Sequence, residues 1–323
     1  MRAIQISNAG GPEVLIPAEL PDPEPGPGEL LVGVAAAGVN YIDVYQRNGT
    51  YPMAMPYVPG LEGAGRVLAL GPGATDFAVG DRVAWVEALG SYAERVTVAV
   101  DKTVPVPPGV SDEVAAGLLL QGMTAHFLVN DTHPVQHGED VLVHAAAGGV
   151  GLLLTQLAAA RGARVIATVS TAEKEELARA AGAADVIRYG DVADLADAVR
   201  SLTGGAGVHA AYDSVGRSTF DASLASLRRR GMLVLFGGSS GPVPPVDPMR
   251  LNAGGSLFLT RPKLFDYIPT PEELRTRATD VFAEVVDGTL DVRIGHRYAL
   301  ADAVTAHEDL QGRRTTGKLL LLP

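Results

Sequence analysis

Hydrophobic and polar positions follow two different rhythms along this chain. As far as about residue 110 the apolar runs are short and are separated by glycine and proline. Arg2–Ser7 alternates as a strand does, and a connector rich in Pro and Gly (residues 21–28) leads into the apolar run Leu30–Ala37. Further short runs occupy Gly65–Leu70, Asp81–Val86 and Ala93–Val98. Evenly spaced short strands with turn residues between them predict a β-rich, barrel-like domain. From Ser111 to about Thr260 the rhythm changes. Strands are expected at 140–145, 164–169, 184–189, 208–213, 232–237 and 256–260. Helices are expected at 151–161, 171–181, 191–202 and 218–229. Strands that alternate with helices of this length predict a doubly wound parallel sheet. One amphipathic helix, 272–287, follows, and the tail from Tyr298 onward is expected to return to the first domain.

A length of 323 residues fits two such domains. Hydrophobic residues make up 47% and charged residues 20% of the chain, and glycine and proline are dispersed, so the composition is globular rather than disordered. The net charge is −11, and the longest basic run is Arg228-Arg229-Arg230, which argues against a nucleic-acid partner. There is no cysteine, which removes disulfides, thiolate catalysis and Cys-ligated metals together. No run of about 18 apolar residues predicts a membrane helix, and the first residues lack the apolar core of a signal peptide. A cytoplasmic location is the expectation.

The most informative segment is Asp140-Val-Leu-Val-His-Ala-Ala-Ala-Gly-Gly-Val-Gly151. Aligned to G-x-G-x-x-G, its three positions are Ala146, Gly148 and Gly151. A strand precedes it, a helix follows it, and a second strand lies within about 30 residues, the setting of a dinucleotide loop. Gly148 would let the backbone approach a pyrophosphate, and Gly151 would let the helix pack on the strand. Free N–H groups of Gly149 and Val150 at the helix start would face the phosphates. An NAD site usually carries Asp or Glu at the end of the second strand. Here Val169 and Ser170 stand there, followed by Thr171 and Lys174. Hydroxyls and an ammonium suit a ribose 2′-phosphate, so NADPH is the expected cofactor.

These residues, with several other segments, resemble the zinc-free medium-chain dehydrogenases/reductases. The segments are Gly38-Val-Asn-Tyr-Ile-Asp-Val-Tyr45, Pro59-Gly-Leu-Glu-Gly-Ala-Gly65, Gly80-Asp-Arg-Val83, Tyr212-Asp-Ser-Val-Gly216, Phe236-Gly-Gly-Ser-Ser-Gly241 and Thr260-Arg-Pro262. The match is to the quinone oxidoreductase (zeta-crystallin-like) branch, nearest its bacterial NADPH:quinone reductases, and it runs the length of the chain. The resemblance implies a GroES-like β-rich catalytic domain (1–124 and 263–323), a Rossmann domain inserted in it (125–262), and a cofactor cleft between the two. It also implies a homodimer paired through the edge strand 256–260. An apolar edge left bare would invite aggregation, which independently favours pairing.

Carried over by position, Asn40, Tyr41, Asp43 and Tyr45 lie near the nicotinamide and its ribose, and Thr124 near the pyrophosphate. Ser170, Lys174, Tyr189 and Arg313 surround the 2′-phosphate. Ser214 and the run Phe236, Gly237, Gly238 and Ser239 line the cofactor groove, and Tyr51 stands at the mouth of the substrate pocket. The branch often has aromatic residues where His126 and Phe127 stand, and His126 departs from that.

Zinc-dependent relatives carry Gly-His-Glu, where this chain reads Gly60-Leu61-Glu62. His133 and His137 have a ligand-like spacing, but Pro134 and Gly138 place them in a loop. No metal is expected. Catalysis then rests on placement of the acceptor near the hydride donor, and on donors that meet the charge developing on a quinone oxygen. The candidates are Tyr45, Tyr51, Asn40 and Arg261. Quinone reduction is the leading expectation. Reduction of an activated C=C bond of an enone, and a non-catalytic NADPH-binding role as in crystallins, are the alternatives.

Overall fold

A computed structural model describes residues 1–323. The chain divides into two compact units. The first comprises residues 1–123, 268–288 and 292–323; the second comprises 124–267 and 289–291.

The first unit contains strands β1 (Arg2–Gln5), β2 (Ile16–Glu19), β3 (Glu29–Val39), β4 (Glu62–Leu70), β5 (Arg82–Val86), β6 (Arg95–Ala99) and β7 (Thr103–Pro105). Helix α1 (Tyr41–Arg47) lies between β3 and β4 in the chain, and α2 (Asp112–Phe127) begins beyond β7. Strands β3, β4, β5 and β7 are antiparallel neighbours, and β6 pairs with β3. The chain's last strand, Lys318–Leu322, pairs antiparallel with the end of β3, Leu320 opposite Gly38. The tail therefore returns to the β-rich unit. Two apolar clusters fill this unit: Leu30, Val32, Val67, Val83, Trp85 and Val98 in one, and Ile4, Ile6, Val39, Leu319 and Leu321 in the other. Trp85 is fully buried, and its indole N–H donates to Ser91 Oγ at 2.9 Å, so its one polar atom is satisfied.

The second unit is built on β8 (Asp140–Val143), β9 (Arg164–Val169), β10 (Asp185–Arg188), β11 (Val208–Asp213), β12 (Leu227–Leu235) and β13 (Phe258–Thr260). Their order is β10-β9-β8-β11-β12-β13 and every pair is parallel. This is the doubly wound Rossmann order, which reverses direction at β8 and opens a crevice beyond the carboxyl ends of β8 and β11. Helices α3 (Gly149–Ala160), α4 (Ala172–Ala180), α5 (Leu195–Leu202) and α6 (Phe220–Ala225) join the strands, and the short α7 (Met249–Ala253) precedes β13. Strands β8 and β9 read as apolar runs after their first residue because both of their faces are covered.

Back in the first unit, α8 (Pro271–Val286) starts as its sequence dictates. Thr270 accepts the Glu273 N–H at 3.2 Å, and Pro271 occupies the first helical position. Strand β14 (Ile294–Ala299), helix α9 (Ala303–Gln311) and β15 (Lys318–Leu322) complete the chain.

Three expectations need correction. The helix expected over 218–229 is only Phe220–Ala225, because Leu227–Arg230 is drawn into β12. Val208 N–H donates to Ser226 O at 2.9 Å, and a Cβ on Gly207 would lie 2.7 Å from Arg228 N. That close approach is a long-range contact that local periodicity does not carry. The helix expected from Asp191 begins at Leu195, where the Asp194 carboxylate caps the Asp197 N–H at 2.9 Å. Helix α2 lies where no helix was expected. Half of its residues are Ala, Gly or Leu and most of it is buried, so it has no polar face to betray a period of 3.6.

Candidate functional site

The dinucleotide loop leaves β8 at His144. Ala145 has φ of 50°, an uncommon value for a residue with a Cβ, and its carbonyl accepts the Gly148 N–H at 2.9 Å. Gly148 is the residue before α3, with φ −81° and ψ 173°. A Cβ there would meet only Ala145 O, at 3.2 Å. Gly151 is different: a Cβ would sit 2.3 Å from Ala145 O and 2.8 Å from Ala146 Cα. Gly151 is therefore required by packing, whereas Gly148 leaves space above the backbone. The N–H groups of Gly149 and Val150 open α3, so a group of donors and a positive helix end face the crevice of the sheet.

Beneath the loop lies a buried polar network. His144 Nδ1 is 2.9 Å from Thr168 Oγ1, and its Nε2 is 2.9 Å from Ser223 Oγ. Ser223 in turn donates to Asp213 Oδ2 at 2.7 Å. Burial holds the imidazole below its usual pKa, so it is neutral. Asp213 Oδ1 also accepts the Val215 and Gly216 N–H groups, which fixes the turn that carries Ser214. That turn is knitted to Phe236–Ser239: Phe236 N–H donates to Asp213 O at 2.9 Å, and Ser239 N–H to Ser214 O at 3.2 Å. A Cβ on Gly237 would lie 2.4 Å from Ser214 O. The structure thus brings together the loop 145–151, Ser214 and 236–239 at the carboxyl ends of adjacent parallel strands. Arg261 is exposed just past β13 and donates to Leu235 O at 3.1 Å.

Ser170 follows β9 directly and is exposed. Thr171 caps α4 by accepting the Lys174 N–H at 3.2 Å. Tyr189 is 46% exposed just after β10, and its N–H donates to Val169 O at 3.2 Å. These four residues share the region where β9 and β10 end. Thr124 is buried within α2. Arg313 is exposed with φ of 56°, in the first unit.

In the first unit Asn40 precedes α1, which presents Tyr41, Asp43 and Tyr45. Tyr45 meets Tyr51 edge-on with ring centroids 5.4 Å apart, and the Tyr51 N–H donates to Tyr45 O at 2.9 Å. Tyr51 is 43% exposed. Burial raises the Tyr41 phenol above its usual pKa, and the Arg313 charge partly offsets the rise.

Asn40 and Asp43 are buried instead, in a polar core that sequence reasoning did not find. Asp43 Oδ2 accepts the Asn40 N–H at 2.8 Å and the Tyr92 hydroxyl at 2.9 Å. Burial pushes the Asp43 carboxyl up to about 7. Arg47 Nη1 lies 2.9 Å from His307 Nδ1, and His307 Nε2 lies 3.1 Å from Tyr92 Oη. Arginine only donates, so Nδ1 accepts and the ring proton sits on Nε2. Burial, and then the Arg47 charge, push His307 down to about 3, consistent with that neutral ring. Lys318, Glu62 and Gln121 close the other side of Asn40. The only sequence signal for this core is a scatter of polar residues in apolar strands, such as the lysine that opens Lys318-Leu-Leu-Leu-Leu322.

Two family models match: the alcohol dehydrogenase GroES-like domain over residues 26–108, and the zinc-binding dehydrogenase model over residues 149–268. The quinone oxidoreductase of Escherichia coli, solved in complex with NADPH, is 42% identical with a TM-score of 0.97, and the alignment covers 100% of both chains. The chain belongs to the quinone oxidoreductase family of medium-chain dehydrogenases/reductases. A mycobacterial relative solved in complex with NADPH is 52% identical over 100% of both chains, with a TM-score of 0.97. The family also includes a 2-haloacrylate reductase from Burkholderia, 40% identical over 99% of this chain and 98% of the relative. The zinc of the second family model finds no fitting donors in this quinone oxidoreductase homologue. Cysteine is absent, Leu61 stands before Glu62, and no three His, Asp or Glu side chains are grouped to hold a metal ion. Both Glu62 oxygens are already engaged: Oε2 by the Lys318 ammonium at 2.6 Å, and Oε1 by the Leu120 N–H at 2.8 Å.

Proposed function

We propose that the protein is an NADPH-dependent quinone reductase that works without a metal. Full-length similarity to a quinone oxidoreductase solved with NADPH carries this reading. The loop fits the cofactor, since Gly148 leaves its backbone approachable and α3 opens with free N–H groups. Ser170, Thr171, Lys174 and Tyr189 hold the adenosine 2′-phosphate. Ser214, Phe236, Gly237, Gly238 and Ser239 line the groove, and Thr124 contacts the pyrophosphate. When bound, NADPH supplies a hydride to the acceptor. The quinone gains two electrons with that hydride, and a proton from solvent completes the hydroquinone. The Tyr45 and Tyr51 hydroxyls donate to the quinone oxygen as its negative charge grows. Asn40 and Asp43 hold α1 and thereby Tyr45.

The deciding experiment follows absorbance of the reduced nicotinamide. NADPH is expected to be consumed with a simple quinone, and NADH much more slowly. Consumption with an enone alone would move the substrate class to activated C=C bonds, a reading that the 2-haloacrylate reductase relative supports. Tight NADPH binding with neither acceptor reduced would leave a binding protein.

A homodimer joined through residues 256–260 belongs to the same proposal. Strand β13 is an edge of the six-stranded sheet, and it displays Phe258 at 55% exposure with Met249 nearby in sequence at 64%. An edge of this kind is stabilised by a second copy. Size-exclusion chromatography with light scattering should give twice the 33.5 kDa chain mass, and Phe258→Lys should give the single chain. A wild-type protein of single-chain mass would end the dimer proposal.

A further inference from the structure

The buried Lys318 ammonium is surrounded by three oxygens. Nζ donates to Glu62 Oε2 at 2.6 Å, Asn40 Oδ1 at 2.8 Å and Gln121 Oε1 at 2.8 Å. Its side chain is 3% exposed and that of Glu62 is 0%. A lysine has three donors, and each has one acceptor here. Asn40 is equally saturated. Its Oδ1 accepts from Lys318 and from Gln121 Nε2, and its Nδ2 donates to Gly38 O at 3.2 Å and Glu62 Oε2 at 3.1 Å. The Asn40 amide can therefore point only one way. The backbone has been cut back to admit the group: a Cβ on Gly38 would lie 2.4 Å from Glu62 Oε2 and 2.7 Å from Lys318 Nζ, and a Cβ on Gly117 would lie 2.8 Å from Lys318 Cγ. Burial works against the ammonium form, and the Glu62 carboxylate opposes that effect.

We propose that Lys318, paired with Glu62, is a positioning residue for the reaction: it locks Asn40, and through Asn40 the start of α1 that carries Tyr45. The inference rests on the quinone-reductase reading. The mechanical path is short. Asn40 is the residue before α1, its N–H is held by Asp43 in the first turn, and the Tyr45 carbonyl anchors Tyr51. The C-terminal strand is thereby tied to the tyrosines that meet the substrate. Neither Lys318 nor Glu62 touches the acceptor. Small displacements of a positioned donor are costly in rate, because reacting groups must sit in near-attack geometry.

Two variants separate positioning from simple stabilisation. Lys318→Met alone leaves the Glu62 charge buried without its partner, which destabilises strongly. Glu62→Gln with Lys318→Met removes both charges, and its melting temperature should return close to that of the wild type. If the pair positions α1, the double variant still shows kcat with quinone reduced about tenfold, while its Kd for NADPH, read by fluorescence, stays within about twofold. Gln121→Met removes one contact to Lys318 and one to Asn40 without exposing a charge, and should lower kcat in the same direction. It supplies the same reading if the double variant does not fold. Wild-type kcat in whichever of the two is folded would overturn the proposal. Absence of quinone turnover in the wild type would instead refute the functional reading beneath it.

Discussion

Replacing Gly151 with valine is expected to abolish measurable NADPH binding and to lower stability markedly. Even one Cβ at this position would lie 2.3 Å from Ala145 O and 2.8 Å from Ala146 Cα, both backbone atoms. Neither can rotate away, so α3 must move off the loop or the loop must open. Ala145 already occupies a left-handed conformation with φ of 50° and has little freedom to adjust. Overpacking of this kind costs about 1–3 kcal/mol, and at 2–4 °C per kcal/mol for a domain of this size the melting temperature should fall by roughly 2–12 °C. The phosphate-facing N–H groups move with the helix, so affinity should drop by about 100-fold or more, a loss of roughly 2.7 kcal/mol. Gly148→Ala is the informative partner. Its backbone is extended and a Cβ meets only one atom, at 3.2 Å. It should fold with a nearly unchanged melting temperature and still bind NADPH poorly, because the new methyl occupies the approach to the pyrophosphate. Titration calorimetry and thermal denaturation on both variants check the pair. Full NADPH affinity in Gly148→Ala would show that the phosphates do not pass over this residue.

Lys174→Ala should raise the Kd for NADPH by about 10- to 100-fold, because one charge-assisted hydrogen bond is worth about 1.5–3 kcal/mol. The Kd for NADH should barely change. The Lys174 N–H donates to the Thr171 cap, and alanine keeps that bond. Alanine is also a strong helix former, so α4 should persist. The measurement is a titration with both cofactors, and its readout is the ratio of the two constants. No carboxylate stands at the end of β9 to bond a ribose hydroxyl, so nothing in that position favours NADH. An unchanged NADPH constant would remove Lys174 from the account of cofactor choice, leaving Ser170 and Tyr189.

Much of this protein is legible without a structure. The strands Arg164–Val169 and Val208–Asp213 lie where the apolar runs place them, residue for residue. A strand buried on both faces must be apolar throughout, and the helices between strands must show one polar face. The dinucleotide loop is legible for a related reason. Its glycines answer to local geometry, and Gly151 is needed because its neighbours six and five residues earlier, Ala145 and Ala146, pass within van der Waals range. Such constraints act over a few residues and leave a mark in the sequence.

Other features were decided only when distant segments met. Helix α2 has no amphipathic stripe, since its burial leaves no solvent side to mark. Arg228-Arg229-Arg230 reads as the end of a helix, yet these residues run along β12, because Val208 and Gly207 bind the chain there. The polar core around Asn40 is assembled from residues up to 278 positions apart in the chain. Lys318 in isolation is a charged residue opening an apolar strand. Only the tertiary structure surrounds its ammonium with Glu62, Asn40 and Gln121, and turns the costly burial of one charge into a satisfied pair. Sequence determines features whose energy is local or periodic. Tertiary structure decides those whose energy depends on which remote groups arrive to replace water.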